Sequence, residues 1–381
     1  MRFNRELLAK IFQLGNQISV PDSYLALYSS VLCHFKAKDD NPQADFYFVS
    51  EKLRLNVLGI PFALGEDEEA QDIWVGFNTS QFTRTIRASR KEMIDISLET
   101  TQVVLMAEGE YRYDIFNKED FDLFEIETEG YNRYDIDFPT IRNYFKVLPD
   151  FASKEDYNPA DKGIFISQNY ITAHSPWIGV VFPSGQLIKE EISVEVSWAK
   201  MLTTIPLGSQ VELLAQEDSV VLFGFLDPEM FPEFPDIKVL LDGRTLLGVF
   251  QNQYVELISK VKKNPEAIKI CLNKDTWFDV FKRVGHLVEE TVTLKQVNQE
   301  TVQVKGPNFQ ELLTVETEAK ETFELIINPR QLNDLFKISN HIRLFFLPTI
   351  SGRYGLVAVN FLEEENKTTI GVGFILQYRA I

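Results

Sequence analysis

Six ten-residue segments of the chain share one arrangement of apolar and polar positions. Each begins with an apolar residue, continues with Asn, Asp or Ser, and has apolar residues four and eight positions after that polar residue. The segments are FNRELLAKIF, FNTSQFTRTI, IDFPTIRNYF, VSWAKMLTTI, LNKDTWFDVF and INPRQLNDLF. This spacing places the apolar residues on one side of an α-helix, and short polar side chains cap a first helical turn. The pattern predicts six similar helices, capped by Asn4, Asn78, Asp137, Ser197, Asn273 and Asn328.

The stretches between these helices alternate apolar and polar residues with a period of two. Examples are ADFYFVSEKLRLNVLGIPF, SLETTQVVLMAEGEYRYDIF, GIFISQNYITAHSPWIGVVF, SQVELLAQEDSVVLFGFL, TVTLKQVNQETVQVKGP and IRLFFLPTISGRYGLVAVNF. β-branched and aromatic residues interrupted by turn residues are typical of antiparallel strands. The caps are roughly 55 to 76 residues apart. The chain is therefore predicted to be α+β, with six half-domains that each pack one helix on a small antiparallel sheet.

Pairing the half-domains predicts three domains, at residues 1–130, 131–250 and 251–381. A chain of 381 residues suits two or three domains, and its 45% hydrophobic content with 30 Phe can fill a core in each. No apolar run approaches the about 20 residues that cross a bilayer, and MRFNRELLAK lacks the apolar stretch of a secretory signal. We therefore expect a cytoplasmic protein without membrane contacts. Cys33 and Cys271 stand alone, which argues against a disulfide framework or zinc finger.

The chain as a whole is acidic, but its repeated helices carry many basic residues. The formal net charge is -18, which disfavours contact with phosphate unless Lys and Arg are gathered locally. Positions opposite the apolar stripe of the repeated helices are often basic. These residues are Lys10, Arg84, Arg87, Lys91, Lys146, Lys282, Arg283, Arg330 and Lys337. A single basic residue on a helix is an ordinary surface residue, but recurrence at equivalent positions predicts one common basic surface. Asp279, Asp334 and Pro206 interrupt the pattern.

Three local segments then resemble one known family. MRFNRELLAKIFQLGNQIS at the amino terminus, LLDGRTLLGVF from Leu240 and GFILQYRAI at the end of the chain are similar to segments of the bacterial-type DNA polymerase sliding clamp, the β subunit. The resemblance covers the whole chain in repeat order and implies a three-domain clamp fold with the helices facing a ring interior. It further implies a homodimer that encircles duplex DNA without reading its sequence, with no catalytic residue, metal or cofactor.

The same resemblance implies a groove that binds short peptides of DNA polymerase and clamp loader. By position its residues are His174, Pro176, Gly179, Leu246, Leu247, Phe374, Leu376, Gln377 and Tyr378. HSPWIG stands where the family has a TDGxRL-like turn, and Gln377 stands where it has proline. These departures favour a peptide specificity that differs from the family's, and they favour a divergent or phage-encoded clamp. Such a clamp would be located in a bacterial cell or, if phage-encoded, in host cytoplasm. The subunit contact implied by position places Tyr113 and Ile115 against Leu287 and Val288.

Other function classes have weaker support. The sequence lacks GxxxxGK[ST], a GxGxxG between a strand and a helix, GxSxG and HExxH. Its four histidines lack the spacing of metal ligands. A hydrolase or nuclease that uses scattered Asp and Glu stays open, but no group of residues indicates one. A repeated α+β scaffold that binds only protein, such as a viral structural component, is the alternative from a different class.

Overall fold

The computed structural model describes residues 1–19, 26–36, 41–65, 72–116, 126–154, 162–185, 187–216, 218–246, 253–288, 291–318, 322–347, 354–363 and 368–378. By their internal contacts the residues form two compact units. Unit 1 is Met1–Phe145 with Val194–Thr245, and unit 2 is Lys146–Ser193 with Leu246–Ile381.

Seven α-helices lie in these ranges. They are α1 (Arg5–Ile18), α2 (Thr79–Ala88), α3 (Phe138–Val147), α4 (Val196–Thr204), α5 (Gln253–Lys263), α6 (Lys274–Val284) and α7 (Pro329–Leu335). None of the helices in the described part of the chain is long and apolar enough to cross a membrane.

Four of the predicted caps are confirmed by hydrogen bonds to their side chains. The bonds run from Leu7 N to Asn4 (3.0 Å), Ser80 N to Asn78 (3.1 Å), Asp275 N to Asn273 (2.8 Å) and Arg330 N to Asn328 (2.9 Å). Asp137 accepts a longer bond of 3.5 Å from Thr140 N. Eleven of the twelve apolar residues four and eight positions after the predicted caps are buried, and Phe281 is half-buried. The repeated pattern therefore did identify the core side of each helix.

Two features of the helices differ from the prediction. Helix α4 begins at Val196 with Glu195 as its cap residue, so the cap predicted at Ser197 is wrong. The Ser197 hydroxyl instead donates to the Glu195 carboxylate at 3.1 Å within the first turn. The sequence prediction also missed α5, which belongs to none of the six repeated segments.

Twenty-five strands are described. They are β1 (Arg2–Asn4), β2 (Ser30–Lys36), β3 (Gln43–Val49), β4 (Leu53–Pro61), β5 (Asp72–Asn78), β6 (Met93–Leu98), β7 (Gln102–Met106), β8 (Glu110–Asp114), β9 (Asn132–Asp135), β10 (Gly163–Ile166), β11 (Tyr170–His174), β12 (Ile178–Pro183), β13 (Ile192–Glu195), β14 (Leu207–Ala215), β15 (Ser219–Leu226), β16 (Lys238–Arg244), β17 (Ile268–Asn273), β18 (Val292–Gln296), β19 (Thr301–Gly306), β20 (Phe309–Thr314), β21 (Glu316–Thr317), β22 (Glu324–Ile327), β23 (His341–Phe346), β24 (Tyr354–Leu362) and β25 (Thr369–Tyr378).

These strands form four sheets rather than the six small ones that were predicted. Two sheets have four strands, in the orders β1-β6-β7-β8 and β20-β19-β18-β22. An eight-stranded sheet has the order β5-β2-β3-β4-β16-β15-β14-β9, and a nine-stranded sheet has the order β13-β10-β11-β12-β25-β24-β23-β17-β21. The two large sheets arise because β4 pairs with β16 and β12 pairs with β25. Each pairing joins what the sequence had predicted as two separate small sheets.

The DGR segment of the sequence stabilises the pairing of β4 with β16. The buried Asp242 carboxylate accepts hydrogen bonds from Arg54 at 2.6 Å and from the Ser219 hydroxyl at 2.7 Å. Next to it, a Cβ added at Gly243 would lie 2.4 Å from Cδ1 of Trp198. Only glycine therefore lets α4 lie so close to β16. The motif that resembled a clamp segment thus has a structural role in unit 1.

An aromatic core lies between α1, α2 and the eight-stranded sheet. Phe12 of α1 is fully buried, with its ring centroid 5.2 Å from that of Phe46, 5.7 Å from that of Phe48 and 4.8 Å from that of Phe82. Buried aromatic rings in such edge-on and tilted contacts gain stability beyond their area burial. This core fixes α1 and α2 against the sheet, so their opposite sides face solvent.

Candidate nucleic-acid interface and partner groove

The four helices of unit 1 are joined to one another by side-chain hydrogen bonds. The bonds are Ser80 Oγ to Asn16 Oδ1 (3.3 Å), Thr204 Oγ1 to Gln17 Oε1 (3.0 Å) and Arg142 Nη2 to Thr203 O (2.8 Å). They connect α2 to α1, α1 to α4 and α4 to α3. In unit 2, Trp277 of α6 donates to Asn333 of α7 at 2.6 Å. The repeated helices are therefore neighbours within each unit.

Six of the predicted basic residues lie within these helices, and five of them are exposed to solvent. Arg84 and Arg87 of α2, Lys146 of α3, Lys282 of α6 and Arg330 of α7 are exposed, and Lys10 of α1 is half-buried. Arg87, Lys146 and Lys282 lie in the last turns of their helices, where the helix dipole stabilises a positive charge. The ion pairs of the described residues include none from Arg84, Arg87, Lys282 or Arg330.

The other three predicted basic residues are ion-paired or lie outside a helix. Lys337 lies in the turn after α7, and its ammonium is 3.0 Å from carboxylate oxygens of both Asp150 and Asp334. The hydrogen bonds that Lys337 donates to those two carboxylates raise its pKa, and the carboxylates offset its positive charge. Arg283 pairs with Glu311 at 3.3 Å. Lys91 is exposed but lies beyond the end of α2. The available positive charge is therefore smaller than the sequence pattern predicted.

Two basic residues of unit 1 helices were missed. Lys200 is exposed on α4, the helix that the sequence pattern presented as nearly free of charge. Arg142 of α3 donates two hydrogen bonds to Thr203 O near the end of α4, at 3.0 and 2.8 Å. Neither residue occupies one of the repeated outward positions, so the pattern carried no signal for them. Finding them required knowing which helices are neighbours.

Three of the residues predicted to form a peptide groove are neighbours in unit 2, where β11, β12 and β25 are adjacent. His174 pairs with Gly179, and Gly179 pairs in turn with Phe374. A Cβ at Gly179 would lie 2.5 Å from the Phe374 ring and 2.6 Å from His174 Cβ. The position therefore requires glycine, because the phenylalanine and histidine side chains fill the space above it. Trp177, which follows Pro176 in the β11–β12 turn, is 39% exposed.

Several of these predicted groove residues are covered. His174 and Phe374 are buried, Phe374 being only 1% exposed. Helix α5 lies over them and places the Tyr254 ring parallel to the Phe374 ring, with a centroid distance of 4.5 Å and an interplanar angle of 6°. His174, Gly179 and Phe374 are therefore covered by α5, and their part in a peptide groove stays a prediction. Pro176, Leu246 and Leu376 are half-buried. Gln377 and Tyr378 end β25, and Leu247 lies outside the described residues.

The residues predicted for the subunit contact have mixed exposure. Tyr113 is buried, and its hydroxyl is 2.6 Å from Thr85 Oγ1. Burial also raises the pKa of Tyr113. Tyr113 is therefore an internal contact of unit 1 rather than a surface residue. Ile115, Leu287 and Val288 are half-buried.

Exposed apolar residues lie instead on two strands at sheet edges. Tyr111 on β8 is 41% exposed, and Leu312 on β20 is 59% exposed. Both strands end the order of their four-stranded sheets. An edge strand with unpaired backbone groups can pair with another chain, so these residues extend the candidate contact surface that the sequence had placed at Tyr113 and Ile115.

The described ranges contain no group of three or more His, Cys, Asp or Glu side chains that could hold a metal ion. His34 Nε2 donates a hydrogen bond to Asp72 Oδ1 at 2.5 Å, and the His34 ring stacks on Trp74 at 3.9 Å between centroids. This histidine thus belongs to an aromatic cluster on the sheet of unit 1.

Comparison with solved structures relates this arrangement to one fold. A sliding clamp from Bacillus subtilis superposes with a TM-score of 0.79 at 15% identity, over 100% of this chain and 99% of that one. The fold is that of a DNA polymerase sliding clamp. A DNA polymerase III β subunit from Thermotoga maritima gives 0.78 at 12% identity, over 100% and 99%. The Pseudomonas aeruginosa sliding clamp bound to griselimycin gives 0.79 at 13%, again over 100% and 99%. The sequence matches no protein-family model and no curated protein.

The sliding-clamp fold is thus present at an identity of 12–15%. At that level, what persists is the arrangement of elements rather than local motifs. The full coverage of both chains confirms the fold that the repeated helix segments and the three similar segments had predicted.

Proposed function

We propose that this protein is a non-catalytic DNA sliding clamp, a processivity factor that encircles duplex DNA and tethers a replicative polymerase. The observation that supports this most directly is the recurrence of exposed cations on α2, α3, α6 and α7 in a chain of net charge -18. Duplex DNA that slides needs diffuse contacts to phosphate and no base-specific contacts. Arg84, Arg87, Lys146, Lys282 and Arg330 would provide such contacts, with Lys10 and Lys200 beside them.

The proposal includes a ring of two chains. Each chain would contribute three domains, at residues 1–130, 131–250 and 251–381, with two repeated helices in each domain. A head-to-tail contact must close on itself or continue as a filament. The exposed edge strands β8 and β20 would provide this contact, with Ile115 of one chain against Leu287 and Val288 of the other. Such a ring would operate in the cytoplasm of a bacterial cell, or in host cytoplasm if it is phage-encoded.

Partner proteins would bind to the half-buried residues of unit 2 around β12 and β25. Pro176, Leu376 and the exposed Trp177, whose carbonyl accepts from Leu376 N at 2.9 Å, would offer an apolar surface for short peptides of polymerase and clamp loader. Leu246 is half-buried and stays a further predicted residue of this groove. HSPWIG and Gln377 differ from the segments found in the resembled family, so the peptides are expected to differ as well.

Retention on circular DNA tests the proposal. The protein is first diluted, because dilution dissociates a homodimer by mass action. It is then concentrated in the presence of nicked circular duplex DNA, so that the rings re-form around the DNA. We expect the protein to stay on the circle during gel filtration at about 0.2 M salt, where diffuse phosphate contacts are weakened, and to leave after linearisation. Equal retention on linear and circular DNA would indicate simple electrostatic binding. Failure to bind either form would favour a scaffold that binds only protein.

Replacement of Leu312 by Asp is expected to convert the dimer into monomers. The change places a carboxylate on an edge strand that the proposal buries against the second chain, and burial of an unpaired charge is costly. Light scattering across a dilution series should show dimerisation weakened by at least about tenfold. The control is Met230→Asp, which places the same charge at an exposed residue, 55% accessible, in a turn of unit 1. Equal dimerisation of the two variants would refute a contact at β20.

A further inference from the structure

Helix α5 packs on the sheet of unit 2 through its apolar side. Ile258 and Val261 are buried in a cluster with Val181, Phe345 and Ala358. The helix contacts β23, β24 and β25. These contacts anchor the middle and the end of α5 on the same sheet face that carries Phe374.

The first turn of α5 is held differently. Tyr254, the second residue of the helix, is half-buried and lies flat on Phe374, with its ring centroid 4.9 Å from that of His174. Leu376 belongs to the same cluster and is half-buried. A side chain in the first turn can leave its site when that turn unwinds, and the ends of helices open more readily than their middles. Ile258 and Val261 would keep the rest of α5 in place.

We propose that Tyr254 fills, from within the chain, the apolar pocket that a partner peptide would use. The inference rests on the proposed function, because it concerns the regulation of the proposed partner groove. Phe374 forms the floor of the pocket, and His174 and Leu376 form its sides. Since the pocket holds a flat ring parallel to Phe374, the partner that fits it is a peptide with a planar aromatic side chain. Such a peptide binds only after the Tyr254 ring moves away.

This arrangement lowers the apparent affinity for the peptide. A site that is open only part of the time binds with an affinity reduced by the open fraction. Removing the Tyr254 ring should therefore increase the affinity for a peptide ligand, although it removes an apolar contact of the chain. A residue that merely supported the groove would have the opposite effect when truncated.

The test compares Tyr254→Ala with two controls in the full chain. Tyr254→Phe keeps the ring, and Leu257→Ala removes an exposed side chain, 41% accessible, from the same helix. The probes are short capped peptides of alternating Leu and Gly that end in Phe, Tyr or Trp, and the peptide that ends in Ala is their control. Calorimetry should show binding by Tyr254→Ala at least about tenfold tighter than by wild type, with both controls unchanged. Hydrogen exchange of the β25 amides checks that the sheet is intact, and Tyr254→Leu replaces Tyr254→Ala if it is not.

Two kinds of result separate a failure of the Tyr254 inference from a failure of the proposed clamp function. If Tyr254→Ala binds the aromatic peptides no more tightly than wild type does, Tyr254 does not close the pocket. If Leu376→Asp weakens binding in that case, the groove exists but is not gated by α5. Retention of the same variants on circular DNA reports on clamp function independently of the groove.

Discussion

Simultaneous replacement of Arg84, Arg87, Lys146 and Lys282 by Glu is expected to release the protein from circular duplex DNA while leaving its fold intact. All four side chains are exposed on helices whose opposite sides are buried, so their replacement does not disturb the core. Each phosphate contact contributes about 0.9 to the slope of log affinity against log salt. Loss of four contacts should therefore reduce that slope by about 3 to 4, and the reversed charges should repel the duplex at low salt.

The measurement is retention on nicked circular DNA at several salt concentrations, with circular dichroism to verify the fold. The matched control reverses the charge of four exposed lysines outside the helices, Lys154, Lys238, Lys295 and Lys305. This control changes the net charge equally and should keep most of the retention, because its residues lie outside the proposed DNA surface. If both variants lose DNA equally, net charge rather than the helix surface governs binding.

Local physics explains why the helices were predictable. The caps at Asn4, Asn78, Asn273 and Asn328 and the burial of Phe12, Phe82 and Trp277 depend on residues within one or two turns of each other. A short polar side chain followed by apolar residues four and eight positions later is sufficient to define both the start and the core side of a helix. The cap predicted at Ser197 was wrong because the helix begins earlier, with Glu195 at the cap position.

Helix α5 shows a signal that was present but did not match the repeated segment. Tyr254, Ile258 and Val261 follow the spacing i, i+4, i+7 that is typical of an amphipathic helix. The repeated segments instead have apolar residues four and eight positions after a polar cap, so they carried no signal for α5. As a result, the predicted groove lacked the side chain that covers it.

Contacts between distant parts of the chain could not be predicted. The pairing of β4 with β16 and of β12 with β25 joins strands that are far apart in sequence, and no local pattern specifies such a partner. The same holds for Tyr254 on Phe374 and for Lys337 between Asp150 and Asp334. Exposure of a charged or apolar residue depends on these contacts, which is why the candidate sites were less predictable than the elements that carry them.

The pairing of β4 with β16 leads to the second prediction with a large effect. Asp242→Ala is expected to lower the free energy of unfolding of unit 1 by about 3 kcal/mol. Removing one partner of a buried ion pair costs about 3 to 5 kcal/mol, since the other charge is left uncompensated. The Arg54 side chain is 32% exposed, so water can partly replace the lost carboxylate as its partner. We therefore expect a loss at the lower end of this range of free energies. Urea unfolding followed by tryptophan fluorescence measures the change, because Trp198 packs beside Gly243 and its indole donates to Leu241 O at 3.2 Å.

Two further variants separate the ion pair from a general effect of removing a carboxylate. Asp236→Ala removes an exposed carboxylate just before β16 and should change the stability by less than about 0.5 kcal/mol, as most surface substitutions do. Asp242→Asn keeps the shape and can still accept from Ser219, so it should lie between wild type and Asp242→Ala. If Asp242→Ala proved as stable as Asp236→Ala, backbone pairing alone would hold β4 to β16. The DGR segment would then owe its role in this fold to Gly243 and its contact with Trp198 rather than to the carboxylate.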